Sequence, residues 1–288
     1  PVDFQAGLAD KVDYFNTNEV SWIGAHLQGE YITNRYTAYG MVGTSAVKYR
    51  FTDHFRDSGL HTGGAATGQE VVLDADWQPA FQVKGGGLYN LTNELRIFAN
   101  AGYVEQMPIF DQIINDASAE FVDNPENQKF ISAELGARFR STSMPLEVAG
   151  NLYYTRWADR VTTEGYEIQS GSTTEDVFIT LTGLQQVHRG IELEAGYQPL
   201  DLVRFDAAAS FNNWEYTDDV DGTYRDLARD TTFTYDIYVD GLKVGNAPQT
   251  QVAYTTTLFP WDGAYIQLVG KSFMNHYSDY SPFDRDDP

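Results

Sequence analysis

The stretch "ISAELGARFRSTSMPLEVAGNLYYTRW", from Ile131 to Trp157, decides the fold, because both of its arms alternate between apolar and polar residues. A period of two residues predicts two antiparallel strands joined by a turn at "STSMP" (141–145). The alternation leaves open which face is enclosed. A soluble sandwich buries the apolar face, whereas a membrane barrel turns that face to lipid and encloses the polar one.

The same alternation recurs along most of the 288 residues, while helical periodicity is almost absent. It predicts ten strands, near 19–31, 36–51, 77–89, 94–104, 130–140, 146–157, 187–197, 202–214, 248–258 and 264–274. Most of them exceed the roughly 5–6 residues that are common in soluble proteins. They meet the roughly 9–11 residues that a tilted membrane strand needs.

The connections between these strands fall into two alternating length classes. The short ones cover 32–35, 90–93, 141–145, 198–201 and 259–263, and the long ones cover 52–76, 105–129, 158–186 and 215–247. Outer-membrane barrels show this asymmetry, with tight periplasmic turns and long extracellular loops. Within the second long connection, "PIFDQIINDASAEF" (108–121) spaces its apolar residues at three and four. That spacing predicts a short amphipathic helix, and a loop with chance spacing is the alternative.

The composition excludes several kinds of function. The chain has no cysteine, so neither disulfides nor thiolate metal sites are available. Its 41 acidic and 19 basic residues give a formal net charge of -22, which disfavours nucleic acid as a partner and docking on anionic lipid through a polybasic surface. No metal, nucleotide or nucleophile motif occurs, so no catalytic, cofactor-binding or metal-binding residue is predicted and no enzyme is expected. The acidic stretch "TDDVDGTYRD" (217–226) fails the hand-type calcium pattern, which leaves an irregular calcium site as the alternative to a solvated loop.

In the membrane interpretation, the two faces of each strand take opposite roles. The residues predicted to face the lumen are His26, Gln28, Glu30, Glu134, Arg138, Arg140, Glu192, Glu194, Arg204 and Asp206. The residues predicted to face lipid are Ile131, Leu135, Phe139, Leu152, Leu193 and Phe205. Aromatic residues near the strand ends, among them Trp157 and Trp214 on the side of the long connections, are predicted to form the bands found at membrane interfaces. The alternative is that aromatic residues are simply good strand formers.

Four motifs follow one another along the middle of the chain. They are Pro108 after a strand, Asn124-Pro125-Glu126 before the next strand, Glu134-Leu135-Gly136 within it, and an aromatic-rich, Asp-containing stretch at 153–160. In this order they resemble the barrel of TonB-dependent outer-membrane receptors. The resemblance is best over about 90–274.

The resemblance implies an all-β fold, in which about ten strands form a portion of a larger antiparallel transmembrane β-barrel with about 22 strands and a plugged lumen. Residues 1–288 are then expected to be a partial outer-membrane β-barrel domain without the plug domain and the terminal strands. Such a portion is expected to form an open, curved sheet. The chain departs from the family pattern at Glu105-Gln106-Met107, where many relatives carry a basic residue, and in its shortened Asn-Pro run. These departures bear on which subfamily the chain belongs to and on which cargo it carries, and not on the expected architecture.

The function implied by the resemblance is energy-coupled uptake of a scarce or bulky ligand across the outer membrane of a Gram-negative bacterium. The cargo would be an iron chelate, a cobalamin-like cofactor or an oligosaccharide. The implied partners are outer-membrane lipid, the receptor's own plug domain and an inner-membrane energy-coupling protein reached through the missing N-terminal part. Two alternatives stay open: a passive or enzymatic outer-membrane barrel, and a soluble extracellular β-sandwich that would bury Leu135, Leu152 and Phe205 in a protein core.

Overall fold

The computed structural model describes residues 15–116, 118–122, 124–170, 173–226 and 231–285. Strands dominate this part of the chain. They are β1 (Asn16–Ile32), β2 (Tyr36–Asp57), β3 (Glu70–Asp74), β4 (Gln78–Asn90), β5 (Leu95–Gln106), β6 (Ile114–Asn115), β7 (Glu120–Phe121), β8 (Gln128–Arg140), β9 (Leu146–Ser170), β10 (Thr173–Leu200), β11 (Val203–Tyr216), β12 (Val220–Asp226), β13 (Thr231–Ile237), β14 (Pro248–Trp261) and β15 (Ala264–His276). A four-residue α-helix, α1 (Ser58–His61), follows β2. No helix within the described ranges has the length and apolar character to cross a membrane.

The main sheet follows the order of the chain. Its path runs β1-β2-β4-β5-β8-β9-β10-β11-β14-β15, with β3 beside β2 and with β12 between β10 and β13. The ten strands on the path are the ten predicted from the alternation, which confirms the all-β prediction. Within the described residues no pairing joins β1 to β15, so the sheet is not closed, as expected of a partial barrel.

The chain divides into two compact units. In its described part, the first comprises 15–26, 43–81 and 106–127, and the second comprises 27–42, 82–105 and the residues from 128 onward. The buried core of the first unit consists of Phe51, Val71, Ala75, Ile113, Ile114 and Ala119. The buried core of the second consists of Ile179, Leu181, Leu184, Tyr216, Val220, Ile237 and Val239. Most of these residues lie in the long connections, so the alternating parts of the strands contribute little to either core.

The opening hairpin has the predicted form. Strands β8 and β9 pair without a register shift from Lys129 opposite Ala158 to Arg140 opposite Glu147. The turn between them is closed by the backbone N–H of Ser141, which donates to the carbonyl of Leu146 at 3.0 Å. All five short connections remain short in the structure, because each lies between two paired strands.

The long connections contain more strand than predicted. Strands β9 and β10 continue to Ser170 and from Thr173, so most of the connection predicted over 158–186 is an extended hairpin. Strands β12 and β13 occupy part of 215–247, and β2 continues to Asp57. The alternation becomes irregular in these segments, yet they are rich in threonine and other β-branched residues, which favour strands.

The prediction of a helix over 108–121 is wrong. The described residues of this segment form a single 3₁₀ turn at Phe110–Gln112 and the two-stranded β6–β7 ladder. Ile113 and Ile114 are buried beside Phe51 of β2. These apolar side chains therefore pack against a strand and do not form the apolar face of a helix. The short helix in a long connection is instead α1, in the connection between β2 and β3.

Asp57 organises the connection that contains α1. Its carboxylate accepts the backbone N–H groups of Gly59 (2.9 Å), Leu60 (3.2 Å), Thr67 (2.9 Å) and Gly68 (2.6 Å). It therefore caps α1 and at the same time holds the chain that returns to β3. The backbone N–H of Thr67 is the largest of the causes that lower the pKa of Asp57 to about 2.

We predict that protonation of Asp57 loosens this connection. Because the pKa in the folded state is lowered from 3.8 to about 2, the stabilisation is complete above about pH 4 and is lost as the pH falls through about 2. Asp57→Ala should abolish it at every pH. Protection factors for the backbone amides of residues 58–69, from hydrogen exchange, measure both effects. Asp76→Ala is the control, since the Asp76 side chain makes no hydrogen bond or ion pair within the described chain, and equal losses in both variants would contradict the prediction.

Candidate functional site

The register places the polar residues of neighbouring strands in rows on one face of the second unit. Asn151 lies beside Glu192, which lies beside Ser210, and Arg140 lies beside Glu147. The predicted residues on β8, β10 and β11 belong to this polar face: Glu134, Arg138, Arg140, Glu192, Glu194, Arg204 and Asp206. His26, Gln28 and Glu30 share one face of β1 and are exposed, and their side chains make no hydrogen bond within the described residues.

A chain of hydrogen bonds crosses the polar face. The hydroxyl of Tyr39 donates to Asn100 Oδ1 at 3.2 Å, and Asn100 Nδ2 donates to Glu134 Oε2 at 3.1 Å. Asn151 Nδ2 then donates to Glu134 Oε1 at 2.8 Å and to Glu192 Oε2 at 3.2 Å. Two carboxylates are thus bridged by one amide, and neither forms an ion pair within the described chain. Of the five residues, Glu134, Asn151 and Glu192 lie on the face that the sequence predicts to meet the lumen.

Toward the short turns, the polar face carries two ion pairs. Arg140 Nη2 lies 2.9 Å from Glu147 Oε2, and Arg204 binds Asp206 through Nε (3.0 Å to both oxygens) and Nη2 (2.7 Å). Small side chains between these pairs leave a groove of about 350 Å³. Its lining is Arg138, Glu147, Val148, Ala149, Glu194, Ala195, Gly196, Arg204, Asp206, Ala207, Ala208, Ala253, Tyr254 and Thr255. The groove therefore brings together five charged residues, all of them on the face that the sequence predicts to meet the lumen.

Toward the long connections, the polar face becomes aromatic. Trp214 Nε1 donates to the hydroxyl of Tyr153 at 2.7 Å, and that hydroxyl donates to Asn212 Oδ1 at 2.9 Å. Trp157 Nε1 donates to Gln128 Oε1 at 2.9 Å. The sequence pattern assigned Trp157 and Trp214 to an interface band, and the alternation already placed Trp157 on the face of Glu147 and Asn151, where the register puts both tryptophans. Their polar partners become visible only when strands distant in sequence are paired.

Glycine makes room for this network at two positions. A Cβ at Gly190 would meet Asn212 Oδ1, and it would lie 2.9 Å from the Phe211 carbonyl oxygen and 2.9 Å from Tyr153 Cε1. A Cβ at Gly86 would likewise meet Asn100 Oδ1 and Tyr39 Cε1. Both glycines therefore serve the close approach of a tyrosine and an asparagine across the strand.

The opposite face is apolar and largely uncovered. Leu135 is 57 % exposed, Leu152 52 %, Leu193 46 %, Ile131 46 % and Phe205 45 %. Phe139, also predicted on this face, is partly buried. Cross-strand pairing puts these six residues on one face, because Leu135 lies beside Leu152, Leu152 lies beside Ile191, and Phe205 lies beside Tyr197. Their contact with lipid stays a prediction.

The described part of the chain contains no arrangement of three or more His, Asp or Glu side chains suited to holding a metal ion. The hydroxyl, amide and carboxylate groups of the polar face can bind ligands by hydrogen bonds and charge. No nucleophile and general base stand together among the groups described above. The hydrogen-bonding and charged groups of the polar face therefore suit the site to recognition of a ligand.

The family model for "TonB dependent receptor-like, beta-barrel" matches residues 3–287. The chain belongs to this family. Its barrels are transporters of the Gram-negative outer membrane and not enzymes, as the sequence motifs predicted. None of the curated proteins matches the chain significantly.

Two solved structures of transporters match the chain. The copper transporter OprC is 14 % identical with a TM-score of 0.55, which shows a similar fold, and the match covers 85 % of this chain and 34 % of OprC. The FrpB iron transporter from Neisseria meningitidis (F3-3 variant) is 12 % identical with a TM-score of 0.47, and the match covers 89 % of this chain and 41 % of FrpB. The chain spans about a third of the length of OprC.

We predict that Gly190→Ala lowers the free energy of unfolding by about 1–3 kcal/mol, because the added methyl group displaces Tyr153 and Asn212. Gly40→Ala is the matched control, since no atom lies within 4 Å of a Cβ at Gly40. We expect the control to be neutral or slightly stabilising. Denaturant unfolding followed by tryptophan fluorescence measures both. A loss of stability in the control equal to that in Gly190→Ala would contradict the role of Gly190.

Proposed function

We propose that the chain is the barrel part of an outer-membrane receptor for energy-coupled uptake of a scarce or bulky ligand. One observation carries the proposal: the apolar face is exposed across neighbouring strands, while the polar face carries a continuous hydrogen-bond network. A soluble sandwich would bury Leu135, Leu152 and Phe205, which are about half exposed here. Lipid is the solvent that makes such a face stable.

The polar face is proposed to line the lumen and to meet the receptor's plug domain. Glu134 and Glu192 lie on either side of Asn151 and have no cationic partner in the described chain. Carboxylates enclosed in a lumen are stabilised by a cationic group, and the plug domain is proposed to supply one. Arg204 and Asp206, in contrast, neutralise each other and need no further partner.

The cargo class proposed is an iron chelate, a cobalamin-like cofactor or an oligosaccharide. Energy coupling is needed for ligands that are too large or too scarce for passive diffusion through an open pore. The chain's own contribution would be the lumen wall and part of the outer loops. The plug domain and the inner-membrane coupling protein would supply the gating and the energy.

Uptake by whole cells tests the proposal. Cells expressing the full-length receptor are given a ferric chelate, cyanocobalamin or a maltooligosaccharide, each radiolabelled, with and without a protonophore. Accumulation of one probe above its external concentration, and its collapse with the protonophore, is the expected result. Equilibration that is unaffected by the protonophore would instead identify a passive barrel and overturn energy coupling.

We predict that Leu135→Arg in the full-length receptor lowers the free energy of unfolding in lipid vesicles by about 2–4 kcal/mol, because the guanidinium would lie at mid-membrane depth. Ala208→Arg is the control on the polar face. Ala208 is exposed and lies beside Glu194, so the change should stay within about 0.5 kcal/mol. Urea titration of the inserted protein measures both. Equal effects of the two arginines would argue against lipid contact of the apolar face.

A further inference from the structure

The groove beside the short turns contains two opposite charges on either side of an alanine. Arg138, Ala149 and Glu194 form one cross-strand row of the polar face, so the arginine and the glutamate lie two strands apart. Both side chains line the groove and are exposed. Within the described residues, neither of them makes a side-chain hydrogen bond or an ion pair. The groove therefore presents one unpaired guanidinium group and one unpaired carboxylate.

The other charged groups around the groove neutralise one another. Glu147 is held by Arg140 at 2.9 Å, and Asp206 is held by two guanidinium nitrogens of Arg204. Gly196 makes room for the second pair, because a Cβ there would lie 3.1 Å from Arg204 Nη2 and 3.2 Å from Asp206 Oδ1. Since both pairs are already joined by charge-assisted hydrogen bonds, a ligand gains most from the two unpaired groups.

The dimensions of the groove fit a small molecule. Its floor includes the small side chains of Ala149, Ala208 and Ala253. Its volume of about 350 Å³ lies within the range of ligand pockets, roughly 300–1,000 Å³. Two strand spacings of about 4.8 Å place the Cα atoms of Arg138 and Glu194 about 10 Å apart. An extended dipeptide spans up to about 7 Å, so its two ends can reach both side chains at once.

We propose that this groove binds a zwitterionic ligand of about the size of a dipeptide, with its carboxylate on Arg138 and its ammonium group on Glu194. The proposal rests on the barrel arrangement of the proposed function, in which the polar face lines the lumen. A guanidinium group binds a carboxylate through paired hydrogen bonds, and a carboxylate accepts strong hydrogen bonds from an ammonium group. Opposite charges at the two ends of the groove also fix the direction in which the ligand lies. A cargo that carries both groups would meet this site at the short-turn end of the lumen.

The test measures binding of alanyl-alanine to the purified full-length receptor in detergent, by ligand-observed NMR titration. Two analogues each lack one charge: the N-acetyl dipeptide has no ammonium group, and the dipeptide amide has no carboxylate. We expect saturable binding of alanyl-alanine. Because a hydrogen bond between charged partners contributes about tenfold in affinity, each analogue should bind the natural protein about tenfold more weakly.

Single substitutions connect each charge of the ligand to one residue. In Arg138→Gln the dipeptide should bind no better than its amide, and in Glu194→Gln it should bind no better than its N-acetyl form. Both side chains are exposed, so both variants should fold. Lys271→Gln is the control for the lost positive charge, since Lys271 shares the polar face beside Ala253 but does not line the groove. Glu30→Gln, also outside the groove, is the control for the lost negative charge, and both controls should keep the natural preferences.

Three results would overturn the zwitterion site. They are no saturable binding to the natural receptor, as when a segment of the plug domain fills the groove; an unchanged preference in Arg138→Gln or Glu194→Gln; and an equal loss in the two controls. If uptake by whole cells is protonophore-sensitive in the same receptor, these results remove the groove site alone. Passive equilibration together with intact dipeptide binding would instead overturn energy coupling and leave the groove as a site in a passive barrel.

Discussion

Lateral hydrogen bonding between neighbouring strands is the constraint on which the rest of the structure depends. The alternating parts of the sheet have no buried apolar layer, so their backbone N–H and C=O groups are satisfied only by the strands beside them. A slip of one residue would move every side chain to the opposite face. The pairing of β8 with β9 accordingly runs from Lys129 to Arg140 without a shift. In the pairing of β9 with β10, the shifts lie between Leu181 and Gln186, outside the membrane length that the alternation predicts.

The fixed register also determines which side chains meet across the sheet. Four aromatic rings lie over glycines of the neighbouring strand, where a Cβ would collide with them. The pairs are Tyr39 with Gly86, Phe98 with Gly136, Tyr153 with Gly190 and Tyr254 with Gly270. An aromatic ring over a glycine covers the exposed backbone of that residue and supports the pairing. Three of these pairs also belong to the polar face, where two of the tyrosines form hydrogen bonds with asparagine.

Among the residues that the structure describes, the long connections carry most of the buried apolar side chains. Ile179, Leu181 and Ile237 are at most 1 % exposed in one cluster, and Phe51 and Ile114 are fully buried in the other. Small hydrophobic cores of this kind give loops a defined structure, because their opening would expose apolar surface to water. For a receptor of the proposed kind, ordered loops would present a defined surface to a ligand. The membrane part would then need only its register and its lipid contacts for stability.

Sequence alone determined the positions of the ten principal strands, the five short turns and the division of residues such as Leu135 and Glu134 between two faces. A period of two follows from the backbone itself and is therefore visible in any single strand. Other features depended on the tertiary structure: the strands within 158–186, the β6–β7 hairpin in place of a helix, and the hydrogen-bond partners of Trp157 and Trp214. The path from Asn100 through Glu134 to Glu192 was likewise decided only by the pairing of strands. Such contacts depend on the register between strands, and the pattern within a single strand does not determine that register.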